Sequence, residues 1–158
     1  MELKELMEQF KVKFEIEGVE PDEDGAYHFE IDGMSVSFLE VAETGEMLTW
    51  ADVGEPPPEG HERLYRVLLE AMFMGEGTGG ASFSIARDDG RVCLHRVDPL
   101  AMLDFDRFKS NLERFVNILE EWRGTLADFR EAAPEQAKEE VVSVEEAGGF
   151  GLGGFMQV

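Results

Sequence analysis

Tyr27-His28-Phe29-Glu30-Ile31-Asp32-Gly33-Met34-Ser35-Val36-Ser37-Phe38 decides the fold. Tyr27, Phe29 and Ile31 alternate with polar residues, the period of a strand with one buried face. Asp32-Gly33 is a two-residue hairpin signal, because both central positions of a type I′ turn need positive φ. Met34, Val36 and Phe38 then alternate with serines. At Leu39 and Val41 the apolar parity switches, which calls for a bulge or a second apolar face. Thr44-Gly45 turns the chain into Met47–Val53, where both parities again carry apolar side chains, including Leu48 and Trp50.

Upstream, Leu3, Leu6, Met7 and Phe10 lie at helical spacing, with Glu early and Lys11 and Lys13 late, as the helix dipole prefers. Lys11–Glu17 also alternates like a strand, so the helix end is ambiguous. Downstream, Pro56-Pro57-Pro58 forms a stiff linker. A second helix follows, with one stripe through Leu64 and Leu68 and another through Tyr65, Leu69 and Phe73. A helix apolar on two sides needs two covers, here the sheet and a second subunit. A hairpin pairs Phe83 and Ile85 with Val92 and Leu94 across Asp88-Asp89-Gly90. From Phe105 to Phe129 nine apolar residues keep helical phase. Past Pro134 the pattern fades into an acidic, then Gly- and Phe-rich tail. The expectation is one α+β domain over 1–133, ordered helix, three strands, helix, two strands, helix, with an antiparallel sheet packed by helices and a tail over 134–158.

Charge narrows the function. The 158 residues carry 35 acidic and 14 basic side chains, a net −21, and between Glu15 and Glu62 there are fifteen Asp or Glu and no Lys or Arg. Because this stretch has strand periodicity, it reads as a folded acidic surface and not as a disordered acidic tract. Such a field repels nucleic acid and anionic lipid and draws cationic protein segments. A nucleic-acid mimic is permitted by the same field. The single Cys93 fits a reducing compartment. The start of the chain has no leader pattern, and no run approaches the roughly 20 apolar residues of a membrane span. The expected location is the cytoplasm.

Little points to catalysis or cofactors. Gly75-Glu76-Gly77-Thr78-Gly79-Gly80 follows a helix and precedes a strand, the reverse of a phosphate cradle, and lacks Lys. It reads as a flexible connector. Cys93 and His95 share a strand face, but a zinc site needs three or four ligands. No nucleophile–histidine pair has supporting sequence context. The expectation is no enzyme, no cofactor and no metal.

The element order, the Asp24-Gly25 turn, Leu68-Leu69-Glu70-Ala71 before a Gly-containing loop, the hairpin Ala86–Leu94 and Phe115–Trp122 in the last helix together resemble the class I type III secretion chaperones, the Tir chaperone family. The resemblance runs from about Leu3 to Leu126. It implies a small acidic homodimer that binds the N-terminal region of a secreted effector and keeps it unfolded for export, without ATP or catalysis. The client-binding surface is then expected near Leu6, Phe10, Phe38, Leu39, Leu48 and Trp50, and the dimer interface at Tyr65, Leu69 and Phe73. The main alternative is a chaperone-like adaptor or regulatory domain outside secretion. The tail residues Phe150, Leu152, Phe155 and Met156 are expected to shelter on the client surface when it is empty.

Overall fold

The computed structural model describes residues 1–147, with side chains to residue 132. The order is α1 (Leu3–Phe14), β1 (Tyr27–Ile31), β2 (Met34–Val41), β3 (Glu46–Gly54), α2 (His61–Ala71), β4 (Ser82–Ile85), β5 (Val92–Pro99) and α3 (Phe105–Ala147). The α+β expectation holds element by element.

The strands form one sheet in the order β1-β2-β3-β5-β4, and every pair is antiparallel. Asp32 and Gly33 at the β1–β2 turn both have positive φ (52° and 75°), as the hairpin signal requires. The parity switch at Leu39 involves no bulge. β2 and β3 pair without interruption from Val36↔Ala51 to Val41↔Glu46, so the sheet has a second apolar face.

The core lies between the other sheet face and the helices. Phe29, Val36, Phe38, Leu94, Phe108 and Leu119 are all buried to 2% exposure or less. Phe38 sits edge-on to Phe29 and Phe108, with ring centroids 5.8 and 5.6 Å apart, a favoured aromatic geometry. α1 ends where Glu15 turns left-handed (φ 54°), which settles the ambiguity at residues 11–17 in favour of helix. Lys11 then holds the departing chain by donating to Val19 O at 2.9 Å while pairing with Glu8 at 2.7 Å.

Three expectations change. The Gly75–Gly80 segment is pinned, not a loose connector. Trp122 Nε1 donates to Gly77 O at 2.9 Å, and at Gly79 (φ 57°) a Cβ would fall 2.5 Å from Ile118 Cδ1. α2 also stops at Ala71, so Phe73 leaves the helix and occupies a 3-10 turn, Phe73–Gly75. α3 runs on past Pro134 to Ala147, beyond the point where its apolar pattern fades. Phe150, Leu152, Phe155 and Met156 lie outside the described residues.

Candidate protein-binding surfaces

Three surfaces remain for partners. The first is a groove of about 550 Å³ between the end of α1, the end of β1 and the flank of α3. Phe10, Phe14, Ile16, Ile31, Leu112 and Val116 make it apolar, and Glu30, Asp32, Glu113 and Lys109 rim it. Its position follows from the fold. β1 is an edge strand, so one side of its backbone keeps unpaired donors and acceptors that an extended peptide can pair with. An apolar trough beside a free strand edge offers pockets for alternate side chains of an added strand.

The second surface is the outer sheet face. Strand register stacks it in cross-strand rows. Leu39, Leu48 and Val97 form one row; Ser37, Trp50 and His95 form the next, with His28 opposite Ser37. Successive rows lie about 6.8 Å apart, two residues along a strand. Val97 is 47% exposed. His28 bridges the face to the preceding turn: one ring nitrogen meets Ser37 Oγ at 2.7 Å, the other Asp22 Oδ2 at 2.9 Å. Its ring stands perpendicular to Trp50, 6.2 Å away. The His28 hydrogen bond, then those from the backbone N–H groups of Ala26 and Asp24, holds the Asp22 carboxyl below its ordinary range. This serine–histidine–aspartate chain lies on a strand face and ties the preceding turn to the sheet. Asp52 at the far end of the face is paired with Arg91. Cys93 is half-buried, and burial above all pushes its thiol pKa up, the opposite of an activated nucleophile.

The third surface is the outer side of α2 and the turn after it. Leu69, Phe73 and Met74 are 65%, 71% and 81% exposed. Such a cluster marks an interaction site more often than scattered single apolar residues do.

The expected site residues therefore divide. Leu6 and Phe38 are core residues, both 0% exposed, and unavailable to a partner while the domain is folded. Their positions on α1 and β2 carry the apolar parity that faces α3, a distinction that periodicity alone does not make. Phe10 is nearly buried yet lines the groove. Leu39, Leu48 and Trp50 come together on the outer face, as half-buried residues. Tyr65 is half-buried and packs against the core, while Leu69 and Phe73 project outward. Phe14, Ile16, Ile31, Leu112 and Val116 were missed as groove residues. The one sequence signal was the apolar row of α1 running on to Phe14, the last residue of the helix. Among the described residues no group of His, Cys, Asp or Glu is placed to hold a metal ion, and no helix is long and apolar enough to cross a membrane.

The apolar groove, the free strand edge and the negative surface are features suited to an extended peptide. The sequence profile of the Tir chaperone protein (CesT) family matches residues 5–123; the chain belongs to that family. Its fold is that of the type III secretion chaperones. It superposes with a TM-score of 0.67 on a chain of the ExsC–ExsE complex, at 23% identity, covering 80% of this chain and 97% of that one. For the Yersinia pestis type III secretion chaperone SycH in complex with a fragment of YscM2 the TM-score is 0.57, at 20% identity, over 75% and 97%. For the ExoU–SpcU complex from the Pseudomonas aeruginosa type III secretion system it is 0.58, at 16% identity, over 80% and 96%. None of the curated proteins matches the chain in sequence.

Proposed function

We propose that this chaperone works in the bacterial cytoplasm, binds the N-terminal segment of a secreted effector non-covalently, and keeps it export-competent without catalysis. The observation that carries this reading is the groove at the free edge of β1. An extended client gains main-chain hydrogen bonds from the edge and buries alternate apolar side chains in the trough. Leu39, Leu48 and Trp50 continue the contact on the outer face. The acidic surface steers encounter, so salt slows association more than it speeds release. Residues 1–133 form the working domain, with 134–158 an appendage. A homodimer through Tyr65, Leu69, Phe73 and Met74 covers the third surface.

Co-purification with the product of a neighbouring reading frame, followed by mass spectrometry, identifies the client. Ile31→Arg removes an apolar wall of the trough and fills it with a long charged side chain that the rim carboxylates Glu30, Asp32 and Glu113 hold in place, and should weaken client binding at least tenfold while leaving the fold intact by circular dichroism. Client affinity unchanged in that variant refutes the groove as the site.

A further inference from the structure

We infer that the outer sheet face selects an arginine: it takes an extended client segment with an apolar residue two positions from an Arg, whose guanidinium lies over Trp50. This rests on the reading of the chain as a binder of extended clients and names the chemistry of one part of that surface.

Three observations carry it. The first is spacing. The Leu39–Leu48–Val97 row and the Trp50 row are adjacent rows on one sheet face, about 6.8 Å apart. That is also the repeat between alternate side chains of an extended peptide. A segment aligned with β3 that seats an apolar side chain on the first row carries its next same-side residue over Trp50.

The second observation is how Trp50 is held. It is half-buried, with Ser37 and His95 directly opposite it on the neighbouring strands and the His28 ring standing perpendicular to it. His28 is itself tied to Ser37 and Asp22. The indole therefore presents a fixed surface to a partner. Indole is the strongest cation–π acceptor among side chains, and guanidinium its commonest protein partner.

The third observation is charge. No Lys or Arg lies between Glu15 and Glu62, the stretch that supplies three of the five strands. Arg91, beside Asp52 at the end of this face, is bound to Asp52 and Glu55. Glu30 and Glu46 point to this side without a salt-bridge partner among the described residues, and Asp22 stays ionised beside His28. Arginine fits better than lysine because its planar head stacks on a ring and still offers in-plane donors to carboxylates.

The test uses two synthetic peptides of sequence Gly-Leu-Ser-Arg-Ser-Leu-Gly, capped at both ends, one with Arg and one with citrulline, its uncharged isostere. Each is titrated into the full chain and followed by amide chemical shifts. The Arg peptide should bind about two- to fivefold more tightly, the range of a cation–π contact at an exposed site. Trp50→Leu should erase that preference, the Arg peptide losing more affinity than the citrulline peptide so that the two bind alike. Trp50→Phe, the milder change, should retain part of the preference and serves if the Leu variant does not fold. Equal affinity of the two peptides for the wild type, or a preference that survives Trp50→Leu, overturns the inference. So does failure of both peptides to bind. Binding abolished by Ile31→Arg but indifferent to Trp50 seats the peptide in the groove, which removes the arginine assignment and leaves the groove reading standing.

Discussion

Replacing Leu69 with Glu separates two roles that an apolar helix residue can have. Leu69 is 65% exposed in the single chain. A surface substitution of this kind changes the stability of the fold by only about 0.5 kcal/mol. In a two-fold dimer the same residue from both copies is buried, so each interface receives two unpaired carboxylates. Breaking the pairing of a buried charge costs roughly 3–5 kcal/mol. Taking the lower figure twice gives about 6 kcal/mol, on the order of a 10⁴-fold rise in the dissociation constant. A nanomolar dimer becomes a tens-of-micromolar one. Sedimentation velocity over about one to fifty micromolar spans that shift. The wild type should sediment as twice 17.7 kDa, and the variant as a single chain at the low end. Circular dichroism should show the same helix content and a cooperative melt for both. A variant as tightly dimeric as the wild type refutes the interface. A wild type that stays monomeric throughout refutes the dimer. An unfolded variant would place Leu69 in the core, against its exposure.

Phe38→Ala should behave in the opposite way. With its ring fully buried against Phe29 and Phe108, truncation should cost about 3–5 kcal/mol in urea unfolding, and a loss below about 1 kcal/mol would contradict its place in the core. Asp22→Asn tests the turn that His28 clasps. A carboxyl whose folded pKa is lowered stabilises the protein fully above its ordinary 3.8, and that stabilisation fades as pH falls through the folded value. Asp22→Asn should therefore melt lower than the wild type near neutral pH, with the gap closing in acid below the folded value. A gap that stays constant into strong acid removes the ionic contribution.

The hairpin at Asp32-Gly33, the long last helix and the order of elements were legible in the sequence, because they depend on local rules. A type I′ turn requires positive φ at two successive residues, and a helix that packs on one side repeats its apolar residues with its own period. The acidic character was equally plain, since charge is a sum over residues and needs no coordinates. The broken alternation at Leu39, Leu48 and Trp50 marked a bulge or a second apolar face, and the uninterrupted β2–β3 register decides for the face. Which apolar residues are core and which are site is not a local property. Phe38 and Leu48 both sit in apolar strand positions, yet one meets Phe108 and the other faces outward, and only the docking of α3 on one face of the sheet separates them. The groove arises the same way. Phe10, Ile31 and Leu112 come from three elements far apart in sequence, and what brings them to one trough is the edge position of β1 beside α1 and α3. The pinning of the Gly75–Gly80 segment likewise depends on Trp122, more than forty residues away. Periodicity reports which way a side chain points from its own backbone, whereas burial depends on what the rest of the chain places in front of it.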